Sequence, residues 1–140
     1  RFEEAYPDRV RDVAAARAFV AWRSGRRPVR YADSVTDIGL VRYWGLEARR
    51  ASGEDAASLL ADVERVGREA PDVAPLVASL RAELLAALGR KDEARALAAE
   101  ALDGARDLAA TDTGVRAHLS VVEARARSLG VRPAGGGAPG

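Results

Sequence analysis

Cysteine and methionine are absent from this 140-residue sequence, and histidine and lysine occur once each. Without cysteine, the chain has no disulfides and no thiolate metal ligands. A single histidine, His118, excludes a catalytic pair of histidines and a metal site built from several histidines. We therefore expect no metal centre and no cofactor, and we expect His118 to lie at the surface or at an interface.

Long apolar runs are missing too, and neither sign of charge is in large excess. No run approaches the roughly 18 to 20 apolar residues that span a bilayer, and nothing resembles a signal peptide. Apolar residues make up 48% and charged residues 31%, with a net charge of +1, which argues against disorder and against a nucleic-acid-binding polycation. We expect one globular domain over residues 1–130 without a membrane span. The compartment stays open, with the cytoplasm slightly favoured.

The chain begins at Arg1 and contains no initiator methionine. We therefore expect it to be part of a larger protein. A further domain would then lie outside the sequence.

Helical periodicity is what the sequence has in abundance. Apolar residues recur in steps of three and four, which places them on one stripe of a helix. No alternating run of β-branched or aromatic residues competes for a strand, and short connections favour antiparallel neighbours. We predict an all-α chain of about six helices, over approximately residues 7–24, 34–51, 56–70, 73–88, 92–109 and 113–129. Residues 131–140 carry no stripe and are expected to form a flexible Pro/Gly tail.

Residues that favour helix ends support these bounds. Ser34 opens a capping-box-like sequence before the second helix. Asp72 is the predicted N-cap of the fourth helix, and Gly89 is its predicted left-handed stop. Asp112 or Thr113 is the predicted cap of the last helix.

Small residues, one large residue and a loop glycine follow a recognisable order from residue 75 to residue 108, at Ala82, Leu85, Gly89, Ala94 and Ala101-Leu102. This order resembles one tetratricopeptide repeat of about 34 residues. A weaker unit over 41–74 places Trp44, Ala48 and Pro71 at further positions of the same family pattern. The resemblance implies antiparallel helix hairpins stacked as a short right-handed superhelix.

An alanine at positions 82, 94 and 101 would let two helix backbones approach closely, where a larger side chain would overpack the contact. We therefore expect Ala82, Ala94 and Ala101 to be buried between helices. The alternative is an ordinary helical bundle whose alanines only follow composition. Both are all-α, and they differ in whether one side of the molecule is concave.

The family resemblance also implies a peptide groove lined by the first helix of each hairpin. Carried over by position, the residues that would line it are Arg42, Arg49, Leu76, Ser79 and Glu83. The side chains with which such domains clamp a C-terminal carboxylate have no match at Ser79 and Glu83, so that ligand class is disfavoured.

Catalytic chemistry has little support in the sequence. The carboxylate pairs Glu54-Asp55 and Asp92-Glu93 stand at helix starts, where capping and the helix dipole explain them. No glycine-rich phosphate loop and no nucleophile elbow occurs. We therefore expect no enzyme activity and no catalytic residue.

One stretch concentrates basic residues: Arg23, Arg26, Arg27 and Arg30, with Trp22 and Tyr31 interleaved. Guanidinium groups bind phosphate in a two-pronged geometry, and aromatic rings stack on bases. A solvated loop between helices explains the same composition, and one such loop gives too few phosphate contacts for tight binding.

These observations favour a non-enzymatic protein–protein interaction or scaffold module, with a protein, a peptide or another domain of the same parent chain as its partner. The alternative is a helical accessory domain that packs on a catalytic or membrane domain of that parent. A weaker alternative is nucleic-acid contact through Arg23 to Arg30.

Overall fold

The structure is a computed structural model, and it describes residues 39–131. Within this range it has six α-helices, one 3-10 turn and no strand, so the predicted all-α class is confirmed there. The elements are α1 (Gly39–Ala51), α2 (Ala56–Glu69), the 3-10 turn (Pro71–Val73), α3 (Ala74–Ala87), α4 (Lys91–Ala109), α5 (Thr113–Arg116) and α6 (Leu119–Ser128). The predicted first helix, the capping sequence at Ser34 and most of the 131–140 tail lie outside the described residues.

The chain divides into two compact units, Arg1–Leu59 and Leu60–Gly140. The boundary falls within α2, so α1 belongs to the first unit and α3 to α6 belong to the second. The prediction that residues 1–130 form one domain stays a prediction. None of the helices between residues 39 and 131 is both long enough and apolar enough to cross a membrane.

Helices α3 and α4 form an antiparallel hairpin. Gly89 has a φ of +84°, the left-handed conformation predicted for it, and this turns the chain after α3. The N–H of Arg90 donates to the carbonyl of Leu85 at 2.9 Å, and the N–H of Gly89 donates to that of Ala86 at 3.0 Å. These two bonds are a Schellman motif, which satisfies carbonyls that the end of a helix leaves free.

The facing surfaces of this hairpin are small. Ala82 and Ala94 are 0% exposed and Ala101 is 2% exposed, so the predicted burial of these three alanines is confirmed. Near the open end of the hairpin, Gly104 of α4 lies against Pro75 of α3. A helix stripe made mostly of methyl groups allows close backbone approach, because no long side chain holds the helices apart.

The segment predicted as one helix over 113–129 is two helices, which corrects that prediction. His118 Nδ1 lies 2.7 Å from the carbonyl oxygen of Gly114, while the backbone N–H of His118 donates to Val115 instead, at 3.0 Å. The imidazole thus takes the carbonyl that a continuous helix would bond at this point, and the helix is interrupted at Ala117 and His118.

The cap predicted for α5 is confirmed, and the cap predicted for α3 is not. Asp112 caps α5 as predicted, since its carboxylate accepts a bond from the N–H of Val115 at 3.1 Å. Asp72 does not cap α3, because Pro71 starts a 3-10 turn that contains Asp72, and Val73 becomes the N-cap without a side-chain bond. That prediction was wrong.

Helix α6 packs against both helices of the hairpin. Val122 and Ala126 are its buried residues. Arg125 donates from Nε to Glu83 of α3 at 3.3 Å, and Arg106 of α4 donates from Nη2 to Glu123 at 3.4 Å. The second unit is thus held by an apolar contact with ion pairs at its edges.

Candidate functional site

The predicted peptide-groove residues of α3 do not share one accessible face. Leu76 is 0% exposed and Ser79 is 1% exposed, so both lie inside the packing of the second unit. Glu83 is partly exposed, and its carboxylate is bound by Arg125. A groove on this part of α3 would therefore have to use other residues than Leu76 and Ser79.

The predicted groove residues of α1 are also engaged within the chain. Arg49 forms a two-pronged ion pair with Glu54: Nε lies 3.1 Å and 3.0 Å from the two carboxylate oxygens, and Nη2 lies 2.5 Å from Oε2. Arg42 is partly buried and, like Arg49, is not without an interaction partner. The five-residue groove thus stays a prediction. The predicted phosphate contacts, Arg23, Arg26, Arg27 and Arg30, lie outside the described residues.

Ser79 has an unusual environment. Its hydroxyl oxygen is buried, and no hydrogen-bond partner lies within reach. A buried hydroxyl that has lost its bonds to water without gaining others lowers the free energy of unfolding by about 1–3 kcal/mol. The residue therefore weakens the second unit.

The carboxylate pairs at helix starts have structural partners. Asp55 accepts bonds from the N–H and the hydroxyl of Ser58, at 3.1 and 3.3 Å, and so caps α2. Arg90 donates two bonds to Glu93, at 2.9 and 2.8 Å. The hydrogen bond from Arg90, together with the attraction of its charge, lowers the pKa of the Glu93 carboxyl.

His118 is 6% exposed, so the expected surface position was wrong. A carbonyl oxygen only accepts, and Nδ1 of His118 must therefore carry the proton that bonds Gly114. The described residues contain no cluster of three or more side chains able to ligate a metal ion.

A groove that the sequence did not predict runs between α2 and α3 within the second unit. Its volume is about 460 Å³, which is within the range of roughly 300–1,000 Å³ found for ligand pockets. Small and β-branched residues line its inner part and charged residues its rim: Val63, Glu64, Gly67, Arg68, Ala74, Val77, Ala78 and Arg81. The one sequence signal for it is Gly67, a glycine inside a helix of a chain rich in alanine.

Charge is unevenly compensated around this groove. Arg81 of α3 bridges to Glu64 of α2, with Nη2 3.2 Å from the carboxylate oxygen. Arg65, which does not line the groove, is paired with Asp62 and Glu69 on its own helix. Arg68 is exposed, and no described side chain forms an ion pair with it. A positive charge therefore stands at the rim without a partner among the residues that the structure describes.

A second, smaller cavity of about 220 Å³ lies where α3, α4 and α6 end or begin. It is lined by Ala86, Lys91, Arg95, Ser128 and Leu129. Arg95 is held by Asp92 at 3.4 Å, so the positive charge here is already partly compensated. The larger groove is the better candidate site.

No family model matches the chain, and no match was found among curated proteins or solved structures. Function must therefore be argued from the residues and their geometry.

Proposed function

We propose that this chain is a non-enzymatic protein-interaction or scaffold module whose helix hairpins stack in the manner of tetratricopeptide repeats. The single observation that carries the proposal is the α3–α4 hairpin. Its Gly89 turn and its buried residues Ala82, Ala94 and Ala101 occupy the positions that the family resemblance requires between residues 75 and 108.

The neighbouring helices support the same proposal. Helix α6 covers the hairpin on one side, and α2 approaches α3 but leaves an open groove between them. An array in which each hairpin contacts only its neighbours provides this kind of surface, because the clefts between successive helices stay accessible.

The exposed surface of the described residues favours this proposal over the accessory-domain alternative. Large interfaces between domains of one chain expose contiguous apolar patches when the partner is absent. Within residues 39–131, Leu88 at 40% is the one large apolar side chain that is exposed. A surface of this kind suits selective binding of a partner segment better than permanent packing on another domain.

A selection from a displayed library of random 12-residue peptides tests the proposal. The folded chain should enrich peptides that converge on a motif, after counter-selection on an unrelated all-α protein. A Leu84→Asp variant places a carboxylate at a position that is 0% exposed and should lose both the fold and the binding. Failure of the wild-type chain to enrich any motif would refute the proposed function.

A further inference from the structure

The backbone conformation at position 67 of α2 does not require a glycine. Inside a helix, glycine makes the structure less stable than alanine by roughly 0.5–1 kcal/mol. In residues 39–131, the glycines with positive φ are Gly53, Gly89 and Gly130, so Gly67 has a conformation that alanine adopts without strain. Another reason must be sought for a glycine at this position.

Steric crowding does not require Gly67 either. A Cβ built on this residue would meet only Val77 Cγ1, at 3.5 Å, which is an ordinary van der Waals contact. At Gly104 a Cβ would stand 3.3 Å from Pro75 Cγ, which is tighter than most real contacts. The absent side chain at Gly67 therefore serves no close helix approach and leaves space in the groove instead.

The groove around Gly67 has an apolar inner part and a positively charged residue at its rim. Ala74 and Ala78 of α3 face the groove with methyl groups only, and both are partly exposed. The ion pair between Arg81 and Glu64 neutralises the charges next to them. Arg68 follows Gly67 directly in the chain, and its charge is the one at the rim that no described carboxylate compensates.

We propose that the groove between α2 and α3 binds a peptide segment of a partner protein in which an apolar side chain stands next to a carboxylate side chain. The apolar side chain fills the space over Gly67, and Arg68 binds the carboxylate. Arg68 donates to such a carboxylate in a two-pronged geometry that a lysine would not offer. The inference rests on the proposed function and names the chemistry of its partner.

Three variants test this assignment in the peptide selection described above. Gly67→Leu fills the groove without changing any charge. Arg68→Glu reverses the charge at the rim. Arg127→Glu, at an exposed position of α6 away from the groove, makes the same charge change as a matched control. Thermal unfolding of each variant verifies that it folds, and if Gly67→Leu does not fold, Arg68→Glu tests the site alone.

We expect the wild-type chain to enrich peptides with an apolar residue adjacent to Asp or Glu. A synthetic peptide of the enriched sequence should bind at least tenfold more weakly to Gly67→Leu and to Arg68→Glu, and within twofold of wild type to Arg127→Glu. Its amide shift changes in NMR should centre on residues 63–68 and 74–81.

Several results would overturn the inference. Enriched peptides that bind all three variants equally would place the interaction elsewhere on the chain and leave the proposed function standing. Enriched peptides without an acidic residue would refute the role of Arg68. Dimerisation in analytical ultracentrifugation that Gly67→Leu abolishes would mean that a second copy of the chain fills the groove. Failure to enrich any peptide would remove the proposed function together with the inference.

Discussion

Helix α3 makes two contacts of different kinds, and a glycine of the neighbouring helix lies at each. On the α4 side, Gly104 approaches Pro75 so closely that a methyl group would stand 3.3 Å from the ring. On the α2 side, Gly67 faces Val77 with room for a methyl group, and a groove of about 460 Å³ remains open. Small residues thus bring helices together in one contact and keep a space open in the other.

The difference shows that a small residue in a helix can have either of two structural roles. Both glycines lie inside helices whose other residues follow the same periodicity. Only the partner across the contact decides whether the missing side chain is required by packing or leaves a surface accessible. Variants at the two contacts can therefore separate stability from binding.

The largest effect is expected where the α3–α4 contact is overpacked. Ala94→Leu adds three carbons at a position that is 0% exposed, and overpacking of a core typically costs about 1–3 kcal/mol. Ala96→Leu makes the same change at an exposed position of the same helix and should alter the free energy of unfolding by less than about 0.5 kcal/mol. Urea unfolding followed by circular dichroism measures both, and equal midpoints would contradict the close contact at Ala94.

The next largest effect concerns the polar atom inside α3. Ser79→Ala removes a buried hydroxyl that has no hydrogen-bond partner and should raise the free energy of unfolding by about 1 kcal/mol. Ser120→Ala, at an exposed position of α6, reports the helix propensity of alanine alone. If the two variants gain the same stability, Ser79 is bonded in solution.

A smaller effect compares the two glycines directly. Gly67→Ala should raise the free energy of unfolding by roughly 0.5–1 kcal/mol, because its methyl group fits and the unfolded chain loses freedom. Gly104→Ala restricts the unfolded chain in the same way, but its methyl group presses on the stiff ring of Pro75. The free energy of unfolding of Gly104→Ala should therefore be lower than that of Gly67→Ala. Thermal unfolding of the pair measures the order, and the reverse order would mean that the α4 contact is the looser one.

The smallest expected change in stability concerns the bond between Arg90 and Glu93, at the start of α4. Arg90 lowers the pKa of Glu93, so the folded chain binds a proton there less readily than the unfolded chain does. The resulting stabilisation is present above the unfolded pKa and is lost as the pH falls through the folded pKa. Glu93→Gln should therefore lower the unfolding midpoint at pH 7 and leave it unchanged near pH 2.

Glu100→Gln is the control for Glu93→Gln, because Glu100 is exposed on the same helix and no described side chain pairs with it. An NMR titration of the Glu93 carboxyl in the folded chain and in urea checks the direction of the shift. If Glu93 titrates at the same pH in the folded and the unfolded chain, the bond between Arg90 and Glu93 does not persist in solution.

The α3–α4 hairpin could be predicted from sequence because three local signals agree there. The apolar period, the loop glycine Gly89 and the acidic residues of the first turn of α4 all place the helix ends within a few residues. The burial of Ala82, Ala94 and Ala101 was predicted from the resemblance to a helical repeat and is confirmed by the structure. The period, the loop glycine and the acidic first turn each arise from residues that are close together in the chain, so they predict the helix ends without knowledge of tertiary contacts.

Other features depend on contacts that a periodic pattern does not contain. The interruption at His118 arises because its ring competes with the backbone for the carbonyl of Gly114. Asp72 failed as a cap because Pro71 shifted the start of the helix. The groove at Gly67 was missed because its open space is a property of α2 and α3 together, and the sequence places Gly67 on the same stripe as buried valines.

The turn of three residues between α3 and α4 has a consequence for how the chain acquires its structure. It joins segments that are close along the chain, so the entropy lost in closing the loop is small. Contacts of short sequence separation form fastest during folding. We expect the hairpin to form early in folding, and α6, which follows it in the chain, to pack on it afterwards.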